Sequence, residues 1–176
     1  GRDGSSWSGT AHFAEEIGPG LCDYNLYDMK VSEAACQWLR REAPKTSQKP
    51  WVLCASFVSP HYPLVVPQHY FDLYPLSEIE PPRLNSSSEL SNHPVLKAMR
   101  DYLNYDDFFD TESRQVAKAS YLGLCSFLDS HVGALIEALH DSGQYDDTLI
   151  IYTSDHGEMA GNHGMWTKCV IYEESA

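Results

Sequence analysis

The chain has 176 residues, 43% of them hydrophobic and 21% charged, enough for one domain with a core of its own. A net charge of -13 disfavours nucleic acid as a partner, because backbone phosphates are repelled. No uninterrupted apolar run approaches the roughly 18 residues that would span a bilayer.

The chain opens on the polar stretch Gly1-Arg2-Asp3-Gly4-Ser5-Ser6 and closes on Glu173-Glu174-Ser175-Ala176. It carries neither a starting methionine nor a basic and apolar leader. Both features give the expectation of an internal piece of a longer protein, with the compartment left open. Residues 1 to about 27 are rich in Gly, Ser and Asp and predict a surface loop.

A first helix is expected next. Val31, Ala34, Ala35, Trp38 and Leu39 fall at i, i+3, i+4, i+7 and i+8, one apolar stripe that ends before Pro44. Trp51 to Val58 is then a continuous apolar run, the pattern of a strand covered on both faces in a parallel sheet. It breaks at Ser59-Pro60-His61-Tyr62-Pro63, since prolines do not continue a central strand. Residues 63 to about 93 predict an irregular excursion with at most short helices. Within it, Asn85-Ser86-Ser87 matches a glycosylation acceptor.

A long helix is expected from Thr111, whose hydroxyl suits a cap. Leu124, Leu128, Val132, Leu135 and Leu139 repeat at helical spacing, and Gly143 supplies the stop. Asp146-Asp147 lead into a second apolar run, Thr148 to Thr153. Strand, crossover helix and second strand make a right-handed βαβ unit, so the fold class is α/β. Ligands in such sheets bind outside the carboxyl ends of the strands. Pro60-His61 and Asp155-His156 both fall there.

The five cysteines, Cys22, Cys36, Cys54, Cys125 and Cys169, are odd in number and widely spaced, which is no disulfide framework. Cys36 and Cys125 lie in helical patterns and Cys54 in a strand pattern, all three reading as buried structural thiols.

The chemistry gathers at three places. Asp155 and His156 are adjacent metal-ligand types, and Gly157 permits the turn that would aim both at one point. The residue types leave Ca²⁺, Mn²⁺, Mg²⁺, Zn²⁺ and Fe²⁺ open. They also leave open a plain capping box from Asp155 to Glu158. Lys168 reads either as a point charge for a ligand oxygen or as a surface lysine. His61, between Pro60 and Pro63, has little backbone freedom, as a group fixed for catalysis needs, or is a turn histidine. His163 reads as an oxyanion donor or a structural loop residue. His12, His69, His93, His131 and His140 read as surface or packing residues.

The run Tyr152-Thr153-Ser154-Asp155-His156-Gly157-Glu158, then Gly161 to Lys168, then Tyr172 to Ala176, resembles the second half of the type I sulfatase catalytic domain, in the alkaline-phosphatase-like superfamily. Phe57 to Pro63 resembles that family's Pro-His-x-Pro motif, and Pro67 to Pro75 also has its look. The resemblance covers about residues 28–176 and is strongest at the two strand ends. The Asp-His pair is similar to the choline-sulfatase and phosphonate-monoester-hydrolase branch.

The resemblance implies a partial three-layer α/β sandwich with a mostly parallel sheet, residues 1–176 being the central part of one catalytic domain. It implies metal ligation by Asp155 and His156, usually of Ca²⁺ with Mn²⁺ or Mg²⁺ as alternatives. It further implies contact of Lys168 with the sulfate group, hydrogen bonding of His61 to the substrate ester, and a substrate-facing loop at His163. The family's nucleophile is a formylglycine made within Cys/Ser-x-Pro/Ala-x-Arg. Cys36-Gln37-Trp38-Leu39-Arg40 has Trp where Pro or Ala is required, and the other cysteines do not fit. That motif and the early metal ligands are therefore expected upstream of Gly1, leaving these 176 residues inactive alone. The expected activity is hydrolysis of a small-molecule or sugar sulfate monoester. The alternatives are a phosphonate or phosphodiester hydrolase of the same superfamily and a non-catalytic binding protein of the same fold.

Overall fold

The computed structural model describes residues 10–46, 49–86, 88–103, 105–168 and 170–176. The expectations for residues 1–9, for Ser87 of the glycosylation triplet and for Cys169 lie outside these residues.

The expected surface loop holds structure from residue 10 onward. A short helix α1 (Thr10–Phe13) leads to strand β1 (Ile17–Pro19), and α2 (Asp23–Arg41) starts well before the apolar stripe. The amide of Cys22 donates to Asn25 Oδ1 at 2.9 Å, a polar start that the apolar pattern does not register. The face of α2 that is buried carries Asn25, Asp28, Ser32, Ala35, Cys36 and Leu39. Ala34 is exposed and Val31 half-buried, so the stripe is rotated from the expected one toward polar residues.

Strand β2 (Leu64–Val66) follows the proline-rich turn and pairs in parallel with β1, Ile17 opposite Leu64 and Pro19 opposite Val66. Helices α3 (Gln68–Phe71), α4 (Pro94–Leu103) and α5 (Thr111–Asp141) complete the longer elements. The excursion after Pro63 is irregular with short helices, as expected, apart from β2. Helix α4 has no counterpart in the sequence reading.

The cap of α5 is Asp110, not Thr111: its carboxylate accepts from the Ser113 amide at 2.7 Å. At the other end Gly143 takes a left-handed φ of 70°, where a Cβ would be strained. Of the five stripe residues, Leu124 and Leu139 are buried and the other three half-buried. An 18-residue window of α5 reaches a mean hydropathy of 1.3, which by length and composition is enough to cross a membrane. Polar residues interrupt its apolar ones, so no continuous run marks it in the sequence. In the fold α5 is the central element, packed by α2, α3, β1 and β2.

Two apolar clusters result. The larger joins Phe13, Leu64, Val66, Phe109, Leu124, Phe127 and Met159 to Met165 and Trp166. Trp166 is fully buried, stacked on Phe109 at 4.6 Å with an interplanar angle of 14°. The smaller joins Cys36, Leu39 and Ala43 of the α2 end to Ala138 and Leu139 of α5.

The two expected strands, 51–58 and 148–153, form no ladder among the described residues. Their side chains stand open: Val52 is 96% exposed, Leu149 83% and Ile151 76%. A run of this composition needs neighbouring strands to cover both faces, and none pairs with it among the described residues. The βαβ unit is consequently not formed as expected. Cys54, on the first run, is exposed rather than buried, while Cys36 is buried.

Candidate functional site

The site is assembled from three loops, each held by its own anchor. The first anchor is Asp28, fully buried on α2. Its two carboxylate oxygens accept the amides of Val58 and Ser59, both at 2.8 Å. Hydrogen bonds to a charged group of this kind contribute about 1.5–3 kcal/mol each. They fix the end of the apolar run two residues before His61. On the far side of His61, the Tyr62 ring stacks on Phe13 at 4.3 Å and its phenol donates to Glu16.

Between these anchors the His61 imidazole is oriented by its own backbone. Nδ1 lies 2.7 Å from the Tyr62 carbonyl. A carbonyl only accepts, so Nδ1 carries the proton and Nε2 presents its lone pair. Lys168 Nζ donates to that Nε2 at 2.6 Å. Tyr24, one turn before Asp28 on α2, sets its ring edge-on to His61 at 6.5 Å.

The second loop carries Asp155 and His156. His156 repeats the same device, with Nδ1 2.8 Å from the Gly157 carbonyl. Its Nε2 is left as an acceptor, 3.7 Å from Asp155 Oδ2. The His156 ring meets His61 edge-on at 5.9 Å. Thus His61, Asp155, His156 and Lys168 are brought into one cluster, although the strands expected to deliver them are unpaired.

Gly157 has a different reason from the one expected. It is not among the positive-φ glycines. A Cβ there would stand 2.1 Å from the Glu174 carbonyl oxygen. The close approach of residues 174–176 is what requires glycine, and the Gly157 amide donates to Ser175 O at 3.2 Å.

No helix opens at Asp155, so the capping-box reading fails. Glu158 instead accepts two backbone amides, from Ala160 at 3.1 Å and Thr167 at 2.5 Å. Burial pushes its carboxyl above the usual range, and those amides with His61 and His156 pull the other way.

His163 makes its ring contacts with other residues. Its ring stacks on Tyr172 at 3.9 Å and 2°, and Nε2 is 3.7 Å from Glu174 Oε1. With a left-handed φ of 57° it serves the loop's turn. Asp28, Tyr24 and Glu158 were missed in the sequence. For Asp28 a signal existed: a carboxylate at helical spacing from Ala35 and Leu39, on the face that must be buried.

The donor chemistry suits a divalent ion in part. Two imidazole and carboxylate atoms 3.7 Å apart, the imidazole already in the tautomer that offers Nε2, are arranged as a two-donor clamp. No group of three or more candidate ligands occurs among the described residues. Two donors are part of what a divalent ion takes.

The sulfatase family model matches residues 5–174. A choline-sulfatase of Rhizobium meliloti (strain 1021) is 35% identical over 154 residues, covering 85% of this chain and 30% of the relative. Among solved structures, the phosphonate monoester hydrolase of Agrobacterium radiobacter superposes with a TM-score of 0.69 at 29% identity. That of Silicibacter pomeroyi superposes with a TM-score of 0.66 at 31% identity. Each superposition covers 82% of this chain and 30% of the other. The chain thus spans about a third of the length of the relatives it matches, with their alkaline-phosphatase-like α/β fold.

Proposed function

The chain belongs to the sulfatase family, and from that premise we propose that the protein hydrolyses a sulfate monoester at the cluster of His61, Asp155, His156 and Lys168. The observation that carries the proposal is the 2.6 Å hydrogen bond from Lys168 Nζ to His61 Nε2, beside the Asp155 and His156 clamp. A cation, a proton-sharing imidazole and two metal-ligand atoms from distant segments meet at one solvent-open point. Such a grouping suits an anionic ester more than a neutral one.

Asp155 and His156 would hold a divalent ion, Ca²⁺ in the first instance with Mn²⁺ or Mg²⁺ as alternatives. When bound, that ion supplies neutralisation of charge on the ester oxygens. The nucleophile implied by the resemblance, a formylglycine, has no matching motif in these 176 residues and would supply attack at sulfur.

The chain's own residues do the remainder. Lys168 Nζ has three protons, one directed at His61. The others are available to sulfate oxygens, where negative charge shifts in the transition state. His61 is locked by the Tyr62 carbonyl, so only Nε2 can exchange a proton. The departing alcohol oxygen takes a proton from Lys168 Nζ, which His61 Nε2 orients and which is left as the neutral amine. His156 keeps its orientation through the Gly157 carbonyl. His163, in its stacked position on Tyr172, has a structural part in this scheme rather than a substrate-binding one.

A second reading has specific support: the two solved structures compared above are phosphonate monoester hydrolases. Tetrahedral phosphonate and sulfate esters present similar oxygens to Lys168 and the clamp. Parallel assays of the complete protein on an aryl sulfate and an aryl phosphonate separate the two. A higher kcat/KM on the sulfate supports the proposal, a higher value on the phosphonate replaces it with the second reading, and no hydrolysis of either refutes both.

A further inference from the structure

The loop from Glu158 to Lys168 leaves the ligand turn and returns with the lysine. Its two legs are tied by the Met159 amide donating to Thr167 O at 3.0 Å and by Gly161 donating to Met165 O at 2.9 Å. Its interior is anchored in the core by Met159, Met165 and Trp166, all at most 1% exposed. At the neck stands one side chain, Glu158. A single oxygen, Oε1, accepts the amide of Ala160 on the outgoing leg and that of Thr167 on the returning leg.

We propose that Glu158 is a positioning residue that clamps the neck of this loop and so sets where Lys168 Nζ stands relative to His61 and His156. The inference rests on the sulfatase reading above and adds to it a residue that touches no substrate. Its warrant is connectivity. Glu158 lies two residues after His156, and its acceptor oxygen holds the amide of the residue just before Lys168. Met159 and Trp166 hold the loop in place and the backbone bonds keep its legs together, while the clamp fixes the neck next to Lys168. Without Oε1 the Ala160 and Thr167 amides lose that acceptor, the neck loosens beside Lys168, and the exposed lysine stem is free to swing away from His61. Displacement of a catalytic group by about 1 Å can cost on the order of 100-fold in rate.

The role belongs to an acceptor oxygen and not to a charge, so Glu158→Gln is the conservative partner of Glu158→Ala. The test is a double-mutant cycle in the complete protein, read as kcat/KM on an aryl sulfate with thermal midpoints recorded. Glu158→Ala is expected to lose about 30-fold, mostly in kcat, and Glu158→Gln to stay within about threefold of the parent. In the Lys168→Ala background, Glu158→Ala is expected to cost less than about twofold, because the group it positions is gone. Equal losses in both backgrounds overturn the inference, as does a Gln variant as impaired as the Ala variant. If Glu158→Ala does not fold, Glu158→Asp, one methylene too short to reach both amides, takes its place under the same criteria. Full activity of Lys168→Ala alone refutes the sulfatase mechanism itself, an outcome distinct from additivity in the cycle.

Discussion

Lys168 Nζ and His61 Nε2 lie 2.6 Å apart across 107 residues of sequence. The imidazole can only accept at that nitrogen, because its other nitrogen faces the Tyr62 carbonyl. The pair is therefore a directed donor and acceptor, and each member restricts what the other can do.

From this pairing follows a dependence on the leaving group. Replacing His61 with Ala removes the acceptor that orients Lys168 Nζ and should reduce kcat/KM by about 10²-fold or more for an alkyl sulfate, whose alkoxide needs the lysine's proton. The loss should be much smaller for a 4-nitrophenyl ester, whose leaving group departs without one. Steady-state kinetics on the two substrates measure this difference.

Asp28 should connect stability to activity. Asp28→Ala removes the acceptor of two amides and is expected to cost about 3 kcal/mol or more of stability. Its activity loss at a temperature well below the melting transition should exceed that of Asp28→Asn, which keeps one acceptor. Denaturant unfolding and kcat/KM report the two effects separately.

The backbone approach at Gly157 predicts a loss from the smallest change. Gly157→Ala places a Cβ 2.1 Å from a backbone oxygen of residue 174. Relief requires movement of the 155–157 turn or the 173–176 segment, at a cost of about 1–3 kcal/mol. Activity should fall further than stability explains, because His156 orients itself on the Gly157 carbonyl.

A metal clamp at Asp155 and His156 should be visible without turnover. Adding Ca²⁺ at about 100 times its dissociation constant should stabilise the protein by about 2.7 kcal/mol. The same addition to Asp155→Ala should leave the thermal midpoint nearly unchanged.

His131 supplies a pH dependence of stability. Its ring stacks on Phe57 at 5.9 Å and edge-on against Phe127 at 4.5 Å. Burial holds its pKa below the ordinary value of 6.5, with Asp28 opposing. Below pH 6.5 the unfolded chain takes up the proton first, so stability falls as pH drops toward the folded pKa. Compared with His131→Phe, the parent should lose stability between pH 7.5 and 5.5. Urea midpoints at the two values test it.

The long helix and the chemical loops were legible in the sequence because their signals are local. The leucine spacing of α5 and the stop at Gly143 are read from neighbours along the chain. So are the proline-bounded His61 and the turn at Asp155, His156 and Gly157. Strand pairing is not local: 51–58 and 148–153 have the composition of covered strands, yet Val52 and Leu149 stand exposed with no ladder. The pairing that does form, Ile17–Pro19 with Leu64–Val66, joins three-residue segments too short for a periodic signal. The loop at His163 is read from its glycines, and ring stacking on Tyr172 orients the side chain within it. Asp28 acts on backbone amides about thirty residues away, and Glu158 on the two legs of its own loop, relationships that residue types alone do not disclose.

The central claim is that Lys168 stands at the oxyanion of the ester. The most direct measurement is kcat/KM of the complete protein on 4-nitrophenyl sulfate, parent against Lys168→Ala, with thermal midpoints recorded together. The account predicts a fall of about 10²–10³-fold with the midpoint nearly unmoved, since the lysine is exposed. Near-equal turnover in the two proteins would contradict it.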